Sequence, residues 1–318
     1  MNFFNNSIKN FLLTKDNILV NKIINRENKS TKKIFKIRFE KFKKKSVVLT
    51  QKRYDQFWVK NFDKKKIFRS INKSNLILDC GVGAGNMSFN ILKKINIKDK
   101  EYIANDINLE NLRKLKNNYQ KFFPKKKQLI CCQFDKIPLK KNTVDLVLSV
   151  GSLHHDRKPL FSLNKICSFL KKNGEIILWV YKTPPLIRVI TDNYFRNKIQ
   201  QEKKFNKVKD LLIDLTKLGY FLKKNNSDIY INENLKSLEI KKGKFKIQEF
   251  IFNYFLRNTY NKHLEFEYSF YENLDWFAPK NNFTFKQIEL EKFFKKNKMH
   301  ITFFRETQSG LSFIAKKI

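Results

Sequence analysis

Glycine and proline are scarce in this chain of 318 residues, with 8 Gly and 6 Pro. That scarcity excludes collagen-like and Gly/Pro low-complexity chains. Cysteine is scarce too: there are four, Cys80, Cys131, Cys132 and Cys167. No Cys-x2-Cys pair and no zinc spacing occurs among them, so no disulfide framework and no metal site is expected, and a reducing, cytoplasmic setting is. No apolar run approaches the roughly 18 residues that span a bilayer, so no membrane span is expected. The first residues lack a secretory apolar region and a small-residue cleavage site, and they are not the Arg- and Ser-rich stretch of an organelle-targeting segment.

Acid is the last shortage. There are 29 Asp+Glu against 67 Lys+Arg, a formal net charge of +38. On a folded domain such a charge attracts nucleic acid, anionic lipid or phosphorylated substrates. The lysines are scattered, however, with Lys43–Lys45, Lys64–Lys66, Lys125–Lys127 and Lys241–Lys242 in separate segments. A solvated lysine face is the plainer reading, beside that of a nucleic-acid groove. The abundance of Lys, Asn, Ile and Phe also looks like coding drift in an AT-rich genome. Apolar residues reach 42% and aromatics 14%, with 32 Phe, enough to bury a sizeable core and to exclude wholesale disorder.

Residues 1–70 are basic with short apolar stretches and read as an N-terminal extension. Within it Ile34–Phe42 alternates as a strand or an amphipathic helix would, and Tyr54, Phe57 and Trp58 share one helix face. Residues 71–182 change character. Short apolar runs (Leu76–Asp79, Tyr102–Ala104, Gln128–Cys132, Leu146–Ser149, Glu175–Tyr181) alternate with charged helical stretches. That alternation predicts βαβ units and a parallel sheet with helices on both faces. After Thr183-Pro184-Pro185 the pattern of residues 183–282 is mostly helical and reads as an insertion. Residues 283–318 resume the regular pattern with a helix over about 284–297 and strands near Ile301–Phe304 and Leu311–Ala315. Gln308-Ser309-Gly310 predicts an antiparallel hairpin between the last two.

The sharpest feature is an apolar strand ending in Asp79, then Cys80-Gly81-Val82-Gly83-Ala84-Gly85, then a helix. Glycine suits backbone that takes positive φ or must let a ligand approach without a Cβ in the way. Strand, loop and helix in this order form a nucleotide site at the carboxyl end of a parallel sheet. A dinucleotide fingerprint Gly-x-Gly-x-x-Gly does not fit, because Asn86 or Ser88 falls on its third glycine. Asp106 ends the next strand, where its position relative to the glycine loop lets a carboxylate grip a ribose diol; the plainer alternative is a cap on the helix that follows.

The pattern Asp79-x-Gly81-x-Gly83-x-Gly85 resembles the first motif of class I S-adenosylmethionine-dependent methyltransferases. The stretch through Gln133-Phe134-Asp135-Lys136-Ile137-Pro138, Val144-Asp145, Leu153-His154-His155 and Lys172-Asn173-Gly174 resembles the methyltransferase type 11 subgroup, over about residues 74–181. Residues 284–317 also look like that family's last helix and strand pair. The resemblance implies a doubly wound, seven-stranded, mostly parallel α/β sheet, a Rossmann-like methyltransferase fold, with its last strand antiparallel. It also implies S-adenosylmethionine as cofactor. Asp79 with the Gly81, Gly83 and Gly85 loop would hold the methionine end, together with the Val150-Gly151-Ser152 backbone. Asp106 would hold the ribose, and Gln133 and Phe134 the adenine. The family's adenine acid falls on Gln133 here, so one charge is lost while an acceptor oxygen remains.

His154 and His155 follow the fourth strand and are the candidate catalytic pair, since a histidine near neutrality is a natural base. Packing under the loop is the plainer role for either, and transfer to an already nucleophilic atom needs no base. Tyr54, Phe57 and Trp58 fit a cofactor lid or, more simply, a packing stripe. Asp275-Trp276-Phe277-Ala278-Pro279 ends the insertion as a site loop or as a loop anchored by a buried Trp. No Asp/Asn-Pro-Pro-aromatic follows the fourth strand and no Pro-Cys occurs, which argues against the amino- and cytosine-methylating nucleic-acid enzymes. The resemblance implies a small-molecule acceptor: a sugar, nucleotide-linked compound, lipid or quinone precursor, with an anionic one suiting the charge. The alternatives are an RNA methyltransferase and an inactive methyltransferase-like protein that binds a partner.

Overall fold

The seven strands expected from the apolar runs all form, and two more precede them. The computed structural model describes residues 3–22, 46–202, 204–263 and 266–318, with the backbone alone for 46–52 and 205. The segment Ile34–Phe42 and Lys43–Lys45 lie outside the described residues.

In chain order the first unit contains β1 (Phe11–Leu13), β2 (Ile18–Asn21), α1 (Ser46–Asn61), α2 (Lys64–Asn72), β3 (Leu76–Cys80), α3 (Asn86–Leu92), β4 (Glu101–Asp106), α4 (Leu109–Tyr119), β5 (Lys126–Cys131), β6 (Val144–Val150), α5 (Pro159–Ser168) and β7 (Leu170–Tyr181). A second compact unit, Thr183–Asn282, follows. It holds α6 (Leu186–Gln201), α7 (Phe205–Asn225), β8 (Asp228–Ile231), β9 (Gly243–Lys246), α8 (Ile247–Tyr254) and α9 (Phe266–Phe277). Phe283–Ile318 returns to the first unit with α10 (Gln287–Lys296), β10 (Met299–Glu306) and β11 (Gly310–Lys317).

The large sheet has nine strands in the order β1-β2-β5-β4-β3-β6-β7-β11-β10. Strands β2 to β7 run parallel, while β11 is antiparallel to β7 and β10 to β11. The expected seven-stranded sheet is present, and Phe11–Leu13 and Ile18–Asn21 extend it to nine. β1 and β2 escape a reading by apolar runs because each is only three or four residues long and flanked by Asn and Lys. The insertion is not all helix either: β8 and β9 pair antiparallel, Asp228 opposite Lys246.

Every residue of β3 is buried, as a central parallel strand covered on both faces requires. Leu76, Leu78 and Cys80 join the cluster of Ile103, Ile130, Val147 and Phe313 on one face. Ile77 and Asp79 point to the other. Chain order runs outward from β3 through β4 and β5 on one side and through β6 and β7 on the other. The switch point therefore lies between the carboxyl ends of β3 and β6, where open α/β sheets bind ligands.

Trp58 is buried and donates its indole N–H to the carbonyl of Met87 at 3.1 Å, which makes the Trp58 stripe a packing surface of α1. The second unit has its own core of Ile240, Phe250 and Tyr254. In it Trp276 is buried and donates to Asp192 Oδ2 at 2.8 Å, so Asp275–Pro279 is anchored by its tryptophan.

Candidate functional site

The loop after β3 is built by three left-handed residues, Gly81 (φ +69°), Gly83 (φ +58°) and Gly85 (φ +86°). A Cβ on Gly81 would sit 2.3 Å from Ser152 Cβ and 3.1 Å from Phe134 Cζ. The loop thus packs directly on the end of β6 and on the Phe134 ring. Its backbone is pinned to β4: the N–H groups of Gly81 and Val82 both donate to the Asn105 carbonyl, at 2.8 and 3.0 Å. The Gly83 N–H donates to Asp106 Oδ2 at 2.9 Å.

Asp106 is buried at the end of β4, and its other oxygen accepts from Asn108 N–H at 2.8 Å and Asn111 Nδ2 at 3.3 Å. It is therefore the link between the glycine loop and α4, whose N-cap is Asn108. Asp79 is buried as well. Tyr102 donates its hydroxyl to Asp79 Oδ2 at 2.8 Å, and Ser88 hydrogen-bonds the same carboxylate. Burial pushes the Asp79 carboxyl up to about 6; the two hydrogen bonds pull against it, and the nearby Asp106 charge adds to it. Sequence reasoning missed Tyr102 and Ser88 as partners of this acid, though both lie on the elements that flank it.

Gln133 is half-buried and caps the short turn Phe134–Lys136, and no hydrogen bond engages its amide among the described residues. Val150, half-buried, ends β6 opposite Trp179. Beyond it the Ser152 hydroxyl donates to the Cys80 carbonyl at 2.8 Å and ties the ends of β3 and β6 together. The structure thus brings Asp79, Gly81, Gly83, Gly85, Asp106, Phe134 and Val150 to one end of the sheet.

His154 and His155 are both buried, their rings 4.4 Å apart. His154 stacks on Tyr181 at 3.7 Å, and neither of its ring nitrogens has a hydrogen-bond partner among the described residues. Burial, with His155 beside it, holds the His154 pKa well below the usual histidine value, so the ring is neutral at pH 7. Trp179 completes the aromatic group and donates to Asn61 Oδ1 at 3.0 Å. Neither Trp179 nor Tyr181 was singled out from the sequence, where both read only as strand residues.

A family model described as a methyltransferase domain matches residues 71–250, more than half of the chain. The chain belongs to this methyltransferase family. The match takes in the glycine loop, both acids and the histidine pair, and it agrees with the class I, S-adenosylmethionine-dependent reading of Asp79-x-Gly81-x-Gly83-x-Gly85. An uncharacterized protein of Methanocaldococcus jannaschii is 34% identical over 165 residues, 51% of this chain and 60% of that protein. The chain therefore spans less than two thirds of that relative's length. Among solved structures, the methyltransferase resembles an S-adenosylmethionine-dependent methyltransferase from Aquifex aeolicus (14% identity, TM-score 0.43, 87% of this chain and 100% of that one). It also resembles magnesium protoporphyrin IX methyltransferase from Synechocystis with bound S-adenosylhomocysteine (10% identity, TM-score 0.45, 92% of this chain and 96% of that one). Among the described residues no helix is long and apolar enough to cross a membrane, and no group of three or more His, Cys, Asp or Glu is placed to hold a metal ion.

Proposed function

We propose that this methyltransferase transfers a methyl group from S-adenosylmethionine to a small, anionic acceptor. The observation that carries the reading is the Gly81–Gly85 loop, held to Asn105 and Asp106 at the switch point of the sheet. The residues there fit the cofactor. Gly81, Gly83 and Gly85 leave alternate positions of the loop without a Cβ, the Gln133 amide has hydrogen-bonding capacity to spare, and the Phe134 ring offers an apolar face beside it. The loop with Asp79 and Val150 would hold the methionine end, Asp106 the ribose, and Gln133 with Phe134 the adenine. When bound, the cofactor supplies an electrophilic methyl group on a sulfonium.

The protein's own part is alignment: a donor and acceptor held in line need no further catalysis if the acceptor atom is already nucleophilic. His154, neutral and enclosed by aromatic rings, shapes the pocket wall. His155, one residue on, is the candidate to take a proton where the acceptor has one to lose. The net charge of +38 favours an acceptor bearing phosphate or carboxylate, because a positive surface concentrates anions.

Calorimetric titration with S-adenosylmethionine and S-adenosylhomocysteine tests the cofactor. Micromolar binding, weakened at least tenfold by Asp106→Ala and less by Gln133→Ala, is the expected result. Well-folded protein that binds neither compound overturns the reading. Turnover on an anionic acceptor should fall as salt rises; insensitivity to salt would remove the case for an anion. Steeply salt-dependent binding of RNA would move the acceptor to nucleic acid.

A further inference from the structure

A cavity of about 320 Å³ lies between the N-terminal strand pair and the turn that follows β5. Its lining includes Asn10, Phe11, Asn21, Asp135, Lys136 and Lys165. The walls are fixed. The Asn5 N–H donates to the Pro138 carbonyl at 2.9 Å, and its side-chain amide to the Leu139 carbonyl at 2.7 Å. The Lys140 N–H donates to the Phe3 carbonyl at 2.9 Å. The N-terminal segment is thereby strapped along the chain just past the turn.

The charges in this cavity do not balance. Asp135 is already paired with Lys136, Oδ2 to Nζ 3.4 Å. Lys165 is half-buried on α5, and among the described residues no carboxylate lies within ion-pair distance of it; its ammonium sits over the Phe169 ring, 5.4 Å from the centroid. A partly buried cation without a counter-charge is costly and is ordinarily paired. The Asn10 side chain makes no hydrogen bond among the described residues, so its donors and acceptor are open to a ligand. At roughly 30 Å³ per water the volume holds about ten waters, or a ligand with about that many non-hydrogen atoms. It stands near the lower end of ordinary small-molecule sites, about 300–1,000 Å³.

We propose that this cavity binds a small organic phosphate carrying hydroxyl groups, with the phosphate on Lys165 and Lys136 and the hydroxyls on Asn10 and Asp135. Lysine meets phosphate as a point charge, and the carboxylate and amide accept from hydroxyls that inorganic ions lack. Asp135 and Lys136 share a turn with Phe134, so the cavity borders the residues proposed for the adenine, but the case for it rests on its own lining and not on the cofactor reading.

The test uses glycerol 3-phosphate, with glycerol, inorganic phosphate and citrate as comparisons, titrated calorimetrically into the full chain. Glycerol 3-phosphate should bind, glycerol should not, and Lys165→Gln should weaken binding at least tenfold. Asn10→Ala, at an exposed position, should weaken it several-fold and guards against a Lys165 variant that fails to fold. No binding at millimolar concentration overturns the proposal, as does binding that both variants leave unchanged. Equal binding of inorganic phosphate would mean an adventitious ion only, and preference for citrate would replace phosphate by carboxylate; either result overturns it. Titration of S-adenosylmethionine on the same sample keeps failure of this site distinct from failure of the cofactor site.

Discussion

Tyr102 and Asp79 form a buried hydrogen-bonded pair, hydroxyl to Oδ2 at 2.8 Å, at the base of the glycine loop. The acid stands on the central strand and the phenol on its neighbour, so the bond locks β3 to β4 beneath the glycine loop. It also puts a carboxylate where its charge is poorly solvated, and burial lifts the Asp79 carboxyl to about 6 from an ordinary 3.8.

This pair gives stability a pH dependence of defined sign. Between about pH 4 and pH 6 the folded chain holds a proton on Asp79 that the unfolded chain has released, so the contribution of Asp79 is fully present below about pH 4 and lost as pH rises through 6. Asp79→Asn should therefore unfold at higher temperature than the parent at pH 7, by at most about 3 kcal/mol in stability, with the gap closing towards pH 4. The same variant should bind S-adenosylmethionine more weakly. Thermal melts from pH 4 to 8 check the first half; a variant no more stable than the parent at pH 7 would contradict the assignment.

Two glycines with similar φ separate strain from collision. At Gly81 (φ +69°) a Cβ would lie 2.3 Å from Ser152 Cβ, whereas at Gly151 (φ +82°) the nearest atoms are on Trp179 at 3.8 Å. Gly151→Ala should cost only the backbone penalty, about 1–2 kcal/mol. Gly81→Ala should cost more, and should displace Ser152 from its bond to the Cys80 carbonyl. Urea denaturation of the two variants side by side measures the difference.

In the second unit, Asp192 accepts from Arg188 Nε at 3.2 Å, Trp276 Nε1 at 2.8 Å and the Arg257 N–H at 3.0 Å. Arg188 and Asp192 are each 3% exposed, and burial brings the Arg188 pKa down to about 10. Asp192→Ala leaves a buried guanidinium without its counter-charge, a loss of about 3–5 kcal/mol. Limited proteolysis should then cut within Thr183–Asn282 while the sheet unit survives; unchanged resistance would show that the arginine finds another partner.

The sheet was legible because its central strands are short apolar runs between charged helices, and Leu76–Cys80 is the plainest of them. The glycine loop was legible because positive φ selects glycine so strongly that Gly81, Gly83 and Gly85 stand out against a glycine-poor background. Pairs such as β1 and β2 were not, since runs of only three or four residues between Asn, Thr and Lys carry little strand signal however apolar they are. β9, Gly243-Lys-Phe-Lys246, reads as surface because two of its four residues are lysine and one is glycine. The state of His154 was hidden as well. Burial and the neighbouring His155 lower its pKa, and the Tyr181 and Trp179 rings that help to bury it meet it only after β6 and β7 pair. Asp106 showed its place in the sequence but not its task of holding Gly83 to α4, which depends on a hydrogen bond across two strands' ends.

The chain leaves the sheet at Tyr181 and rejoins it at Phe285, and the N–H of Phe285 donates to the carbonyl of Tyr181 at 2.9 Å. Departure and return thus share one doorway, beside the His154 carbonyl that accepts from Phe283 at 2.8 Å. The pairing of β7 with β11 is registered residue by residue and takes no instruction from the length of what hangs between them. Each doubling of such an excursion adds only about 0.6 kcal/mol of closure cost. Descent can therefore trade the excursion as a cassette, longer, shorter or replaced outright, while the strands on either side keep their alignment.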